Sequence, residues 1–120
     1  MLTIYCDSSL TECCVCVGTD SWLYPYSDKV TVNQGEYLAL SKAIEYAQRS
    51  HSTMVIIRSD SQLIVNQVLG IYKCKSPDLE LLRSGVLSML DSSKNFGQCI
   101  EIEWVPREQN LAGHVLEKRK

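Results

Sequence analysis

The feature that most constrains the fold is a short apolar run in the middle of the chain. Residues 54–57, Met-Val-Ile-Ile, show no polar alternation and are followed at once by a polar triplet that ends at Asp60. An unbroken run of this length is typical of a strand in a sheet that is covered on both faces. The preceding segment, from about Gln34 to residues 50–52, carries apolar residues at helical spacing. The centre of the chain therefore predicts a sheet with helices packed against it.

The other segments complete an order of three strands, helix, strand, two helices, strand and helix. Strands are expected at residues 2–7, 12–19, within 21–32 and at 100–105. Pro25 interrupts the third of these, which should be short or lie at an edge. Further helices are expected at residues 61–69, 77 to about 90, and 109–118. This order predicts a mixed α/β sheet that begins with a meander, in a single domain spanning residues 1–120.

Composition narrows the class of protein. Of 120 residues, 45% are hydrophobic and 22% are charged, which excludes a disordered tail. No apolar run approaches the roughly 18 residues of a membrane span, and the N-terminus lacks the basic and apolar segments of a signal peptide. The net charge of −2 argues against binding nucleic acid through bulk positive charge alone, although a local basic track remains compatible with it. We therefore expect an intracellular, cytoplasmic protein with no membrane partner.

Six cysteines raise the question of disulfides or a zinc site. Four of them lie in apolar, strand-like segments, and the other two are isolated. Buried free thiols in a reducing compartment explain this placement better than a disulfide scaffold. The spacing Cys14-Val15-Cys16 and the presence of only two histidines also disfavour zinc.

Three carboxylates fall at related places in the predicted elements. Asp7 ends the first strand, Asp60 ends the central strand, and Glu36 lies in the first turn of the first long helix. If the two strands are parallel neighbours, their ends meet at one edge of the sheet, and the helix can bring Glu36 there. Three such acids repel one another unless cations neutralise them, and hard oxygen ligands suit Mg²⁺ or Mn²⁺. Two such ions about 4 Å apart form the arrangement that cleaves phosphodiesters.

Each acid also has an ordinary structural explanation. Asp7 could be a turn residue, Asp60 could cap the short helix, and Glu36 could favour the helix dipole. Their joint placement favours the metal site over three separate explanations.

Four segments resemble motifs of type 1 ribonuclease H and occur in that family's order. They read Tyr5-Cys6-Asp7-Ser8-Ser9, Thr31-Val32-Asn33-Gln34-Gly35-Glu36, Arg58-Ser59-Asp60-Ser61-Gln62 and Val105-Pro106-Arg107-Glu108-Gln109-Asn110. The family motifs that they resemble are Asp-Gly-Ser, Thr-Asn-Asn-x-Ala-Glu, Asp-Ser-Gln and Val-Pro-Arg-Glu-x-Asn. Each match is weak alone, but four in the right order make the resemblance specific.

The resemblance implies an RNase H-like fold, a five-stranded mixed sheet with its first three strands antiparallel and helices at its sides. It implies that Asp7, Glu36 and Asp60 hold two divalent ions, Mg²⁺ or Mn²⁺, with Asp7 bridging them. Asn33 and Gln62 match positions that contact the minor groove of a hybrid, where 2′-hydroxyls and shape are recognised. The implied activity is metal-dependent hydrolysis of the RNA strand of RNA–DNA hybrids. We also expect a monomer and no small-molecule cofactor.

One departure from the family concerns the fourth acid. The family's Asn-x-x-Ala-Asp-x-Leu reads here as Asn110-Leu111-Ala112-Gly113-His114-Val115-Leu116. His114 thus stands in the aspartate's place and is expected to be a catalytic metal ligand. Because imidazole suits Mn²⁺ and other transition ions better than Mg²⁺, we expect a Mn²⁺ preference. Alternatively, His114 is a surface or capping residue, or Asn110 fills the role, although Asn110 fits a helix cap better.

Other departures concern substrate binding. Ser8 replaces a glycine, and the first hairpin lacks the glycine-rich loop of many members, so the hydroxyls of Ser8 and Ser9 are candidate donors to phosphate. A long basic protrusion is absent, and Lys73 and Lys75 are candidate remnants of it or ordinary solvated lysines. We expect low affinity for the hybrid and strong salt sensitivity.

Two other interpretations stay open. The chain could be a catalytically weakened RNase H-like module that binds nucleic acid, because it lacks the fourth acid. It could also be a related nuclease that acts on other RNA or DNA substrates.

Overall fold

A computed structural model of the chain describes residues 1–119, and the elements in this range follow the predicted order. The strands are β1 (Leu2–Ser8), β2 (Glu12–Val17), β3 (Asp20–Pro25), β4 (Met54–Ser59) and β5 (Cys99–Trp104). The helices are α1 (Val32–Ser50), α2 (Gln62–Val68), α3 (Pro77–Asn95) and α4 (Leu111–Lys118), and a short 3₁₀ turn (Arg107–Gln109) precedes α4. None of these helices is both long and apolar enough to cross a membrane.

The five strands form one mixed sheet in the order β3-β2-β1-β4-β5. The first three pair in antiparallel fashion, while β1 with β4 and β4 with β5 are parallel. The mixed sheet and its antiparallel meander confirm the predicted fold. Strand β4 lies between two parallel neighbours, and its Val55 and Ile57 are completely buried. Met54 is exposed and Ile56 is half-buried on the other face, so the apolar run correctly predicts the strand, but the prediction that both of its faces are covered is wrong.

Alternate strand residues separate two cores on opposite faces of the sheet. On β2, Cys13 and Val15 belong to the large core that contains the apolar residues of α1, whereas Cys14 and Cys16 pack with the apolar side of α4. Because successive side chains of a strand point to opposite faces, α1 and α4 cover opposite sides. Helix α3 packs beside α1.

Turn residues end two of the strands. Strand β3 runs from Asp20 to Pro25 at the edge of the sheet, which confirms the prediction of a short or edge strand; it begins one residue before the predicted range of 21–32 and ends at Pro25, because proline cannot donate the next ladder hydrogen bond. Strand β2 ends at Val17 instead of residue 19, because Gly18, with φ of 61°, makes the turn into β3.

Helices α1, α3 and α4 begin or end at residues other than those predicted. Helix α1 begins at Val32, not Gln34, because the Thr31 side chain accepts from the Gln34 amide and the Gln34 side chain accepts from the Thr31 amide. Helix α3 continues past residue 90 to Asn95, through a mostly exposed stretch without apolar periodicity. Helix α4 begins at Leu111, not residue 109, after the 3₁₀ turn.

Candidate metal centre

Three carboxylates from three elements meet at one edge of the sheet. Asp7 lies next to the end of β1, Asp60 directly follows β4, and Glu36 comes from α1. One oxygen of each carboxylate lies within 4.8 Å of an oxygen of each of the others. The parallel pairing of β1 with β4 brings the first two together, as the sequence predicted. Glu36 occupies the second turn of α1 rather than the first, because the helix begins two residues earlier than expected.

Burial makes this cluster costly to ionise. Asp7 is 6% exposed and Glu36 is 7% exposed. Burial, followed by the charges of Asp7 and Asp60, raises the pKa of Glu36 to about 9. Burial and the charge of Asp60 likewise raise the pKa of Asp7, and these effects outweigh the lowering by the Arg107 charge. Without a cation, the Glu36 carboxyl therefore holds a proton at neutral pH.

The residues present fit a hard divalent cation. Glu36 Oε2 is buried and has no hydrogen-bond partner. No lysine or arginine among residues 1–119 forms an ion pair with any of the three acids. Carboxylate oxygens that lack a protein cation and face one another are the donors that Mg²⁺ and Mn²⁺ take.

The first turn of α4 forms one wall of the cluster. Gly113 approaches so closely that a Cβ atom there would lie 2.9 Å from Asp7 Oδ2 and 3.7 Å from Asp60 Oδ2. Asn110 is fully buried, caps α4 by accepting from the Ala112 amide, and also donates to Asp60 Oδ2 at 3.2 Å. The capping role follows from the sequence, but the contacts of Gly113 and Asn110 with the acids have no sequence signal of their own, because they depend on how α4 docks.

The remaining predicted metal ligand lies on the same helix. His114 is half-buried on α4, next to Gly113. Its ring nitrogens are not part of the group of ligand atoms within 4.8 Å of one another that the described residues form. The structure thus brings three of the four predicted ligands together and places the fourth on the adjoining helix.

The predicted substrate-binding residues lie on several elements of the fold. Ser8 and Ser9 follow Asp7, but their hydroxyls are engaged locally: Ser8 Oγ bonds to Ser9 O and Tyr26 Oη, and Ser9 Oγ bonds to Glu12 O. Asn33 is half-buried near the start of α1. The other three are exposed, namely Gln62 at the start of α2 and Lys73 and Lys75 in the segment between α2 and α3.

A cleft of about 530 Å³ adjoins the acids. Its lining includes Asp7 and Gly113, residues 8–12, and Arg107 and Arg119. The lining also contains Asp7, Glu12 and Glu117, and Arg119 is paired with Glu12, so the cleft does not carry a net positive charge.

Comparisons with known proteins agree with this geometry. A family model described as reverse transcriptase-like matches residues 11–120. The bifunctional protein Rv2228c of Mycobacterium tuberculosis is 32% identical over 82 residues, which are 68% of this chain and 21% of that protein. The chain thus matches about a fifth of the length of this curated relative.

Solved structures share the whole fold. RNase H1 of the halophilic archaeon Halobacterium salinarum has a TM-score of 0.78 and 25% identity, covering 96% of this chain and 92% of that one. LC11-RNase H1 in complex with an RNA/DNA hybrid has a TM-score of 0.78 and 24% identity, over 92% and 89%. The N-terminal RNase H domain of Rv2228c from Mycobacterium tuberculosis has a TM-score of 0.74 and 24% identity, over 98% and 94%. The chain belongs to the reverse transcriptase-like family and has the RNase H-like fold that its motifs implied.

Proposed function

We propose that this chain is a metal-dependent endonuclease that hydrolyses the RNA strand of RNA–DNA hybrids. The observation that carries the proposal is the meeting of Asp7, Glu36 and Asp60 at one sheet edge of an RNase H-like fold. The substrate class is supported by LC11-RNase H1, whose structure contains an RNA/DNA hybrid.

The three acids would hold the divalent ions. When bound, such ions activate water and stabilise the charge that develops on the phosphate. The chain supplies a fixed, largely buried set of oxygens, since Asp7 and Glu36 are held within the packed end of the sheet. Deprotonating Glu36, whose pKa is raised to about 9 by burial, is coupled to cation binding.

His114 completes this proposal as the fourth ligand. Its place on α4 beside Gly113 puts it on the helix that forms one wall of the cluster. Imidazole nitrogen favours Mn²⁺ over Mg²⁺, so we propose a Mn²⁺ preference. Cleavage rates that are equal or faster in Mg²⁺ across a concentration series would remove His114 from the ligand set.

The hybrid would lie across the cluster, between the cleft and the exposed start of α2. Exposed Gln62 and half-buried Asn33 would contact the minor groove, and Lys73 and Lys75 would contact phosphates. The hydroxyls of Ser8 and Ser9 are already bonded within the hairpin, so any phosphate contact there would have to share them.

The proposed activity is tested with a labelled RNA–DNA hybrid in Mn²⁺ and in Mg²⁺. Asp7→Asn removes one charged ligand. Losing a residue that only bonds to a metal ligand costs roughly 10–100-fold in metal affinity or activity. We expect the loss of a ligand itself to lower the cleavage rate by more than that. Asp91→Asn, at an exposed position of α3, is the matched control and should cleave like the wild type. Cleavage that survives Asp7→Asn unchanged would contradict the proposal.

A second candidate function is a module that binds hybrids without cleaving them. It is favoured by one observation, that the chain has a histidine outside the group of three acids instead of a fourth carboxylate. Tight binding without cleavage in either metal would favour this candidate. Single-stranded RNA and duplex DNA in the same assay test the third possibility, because similar cleavage of them would indicate a nuclease of another specificity.

The cellular location is also a proposal. Four of the six cysteines are buried and all six are free thiols, which suits a reducing, cytoplasmic compartment. Localisation of a tagged full-length protein tests it, and secretion would contradict it.

A further inference from the structure

One buried side chain joins β1, the residue after β4 and the start of α4 beside the acid cluster. Asn110 is 0% exposed. Its Nδ2 donates to Cys6 O at 3.0 Å, in the residue before Asp7, and to Asp60 Oδ2 at 3.2 Å. Its Oδ1 accepts from the Ala112 amide at 3.1 Å.

These contacts use the asparagine amide fully. Asparagine has two N–H donors, and here one points to a backbone carbonyl and the other to a carboxylate, while the carbonyl oxygen caps the helix. If the amide were flipped, its oxygen would face two other oxygens, so the contacts determine the orientation. A buried amide with every group bonded is held rigidly.

Capping alone does not require asparagine. Serine, threonine or aspartate at this position could also accept from the helix amide. Only asparagine combines that acceptor with two donors at the same reach, and both donors go to the parts of the chain that carry Asp7 and Asp60. The choice of residue is thus explained by the acid cluster rather than by the helix.

We propose that Asn110 is a positioning residue for the metal centre. It restrains the rotation of the Asp60 carboxylate through one oxygen, and it ties the start of α4 to β1, so that Gly113 stays against Asp7. This inference rests on the proposed function, since it assigns Asn110 to the same cation site. It predicts that Asn110 sets the affinity for the cation and not only the stability of the fold.

The test is thermal unfolding of the whole chain in a series of MnCl₂ and MgCl₂ concentrations, without nucleic acid. Asn110→Ser keeps a capping hydroxyl but is too short to reach Asp60 and Cys6. The matched control is Ser76→Ala, which removes the cap of α3, where Ser76 Oγ accepts from the Leu79 amide. The measured quantity is the apparent dissociation constant obtained by fitting the stabilisation to RT ln(1 + c/Kd), where c is the metal concentration, and it is here called the metal midpoint.

We expect this midpoint to rise roughly 10–100-fold in Asn110→Ser and to stay at the wild-type value in Ser76→Ala, although both variants melt earlier without metal. A lower Tm with an unchanged midpoint in Asn110→Ser would overturn the inference while leaving the proposed function intact. A wild type that does not respond to either metal would overturn both.

A measurement on the wild type covers the case in which Asn110→Ser does not fold. The two side-chain N–H protons of Asn110 should exchange slowly with solvent and should shift in NMR spectra as Mg²⁺ is added, with the midpoint of the Tm series. Rapid exchange, or signals that stay fixed at saturating Mg²⁺ while Tm rises, would overturn the role of Asn110 alone.

Discussion

The face of the sheet under α1 buries Tyr37, Leu40 and Ile44 almost completely, whereas the face under α4 buries only a small apolar group. That smaller group consists of Cys14, Cys16, Ala112 and Leu116. Large side chains that pack in a continuous core supply most of the hydrophobic stabilisation of a domain. The α1 face therefore carries the stability of the fold, and the α4 face contributes less.

Polar contacts compensate for the small core under α4. Asn110 ties the start of the helix to β1, and beyond its end Arg119 bonds Glu12 through two nitrogens, at 2.7 and 3.3 Å. The Arg119 side chain is 51% exposed, so this pair contributes at most about 1 kcal/mol. The wall of the acid cluster is thus held by few, directional contacts. Small changes on this face should alter the site more than the fold, and changes on the α1 face should do the reverse.

The largest expected effect comes from replacing one leucine on each face of the sheet with alanine. Leu40→Ala empties a site that is 1% exposed within the large core, and we expect it to lower the free energy of unfolding by about 3–5 kcal/mol. Leu116→Ala, in the small group, should cost about 2 kcal/mol, because fewer neighbours lose contacts. Urea unfolding measures both losses.

The same two variants should show the opposite order in their effect on metal binding, with the larger effect in Leu116→Ala. Leu116→Ala loosens the helix that places Gly113 against Asp7, so the metal midpoint in thermal unfolding should rise. Leu40→Ala should leave that midpoint near the wild-type value. If Leu40→Ala and Leu116→Ala lost equal stability and had equal metal midpoints, the two faces would contribute equally to the fold and to the site, which contradicts this comparison.

The next effect concerns the carboxylate that α1 contributes to the cluster. The folded state raises the pKa of Glu36 to about 9 by burial and by the charges of Asp7 and Asp60, from an ordinary value of 4.5. The folded protein therefore keeps a proton that the unfolded chain releases, and metal-free stability should fall as pH rises from about 4.5 to about 9. Each pKa unit corresponds to about 1.4 kcal/mol.

Thermal unfolding between pH 5 and 9 in the presence of a chelator measures whether metal-free stability falls as the pH rises. Glu36→Gln should flatten the decline, while Glu45→Gln, a partly exposed position on the same helix, should keep it. A saturating divalent ion should remove the decline in the wild type, because it replaces the proton. A metal-free Tm that rises toward pH 8 would contradict the assignment.

The difference between the faces also explains what the sequence could predict. Strand β4 is evident from the sequence because of its unbroken apolar run, although only one of its faces is fully covered, and the meeting of Asp7 with Asp60 follows from parallel strands ending at one edge. The apolar run is a pattern within one short segment, and the two acids lie at the ends of strands. They follow from local pattern combined with simple topology.

Contacts that form only when α4 packs on the sheet have no local sequence pattern that predicts them. The contacts of Asn110 with Cys6 and Asp60 join residues more than 45 positions apart, so the sequence indicated only the cap. The close approach of Gly113 to Asp7 likewise depends on where α4 settles on the sheet. The last five residues of α3 were missed for a different reason, since a mostly exposed helical turn carries no apolar periodicity.

The smallest effect compares two helical glycines. Gly85 is exposed on α3, and a Cβ added there would meet no atom within 4 Å, so Gly85→Ala should stabilise the fold by about 0.5–1 kcal/mol through helix propensity. Gly113→Ala should gain less, because its Cβ would lie 2.9 Å from Asp7 Oδ2 and the carboxylate would have to move. We expect nearly unchanged stability and a raised metal midpoint in Gly113→Ala alone. If both variants gained stability equally and bound metal like the wild type, α4 would have room to withdraw from Asp7, and its close approach would not be needed for the site.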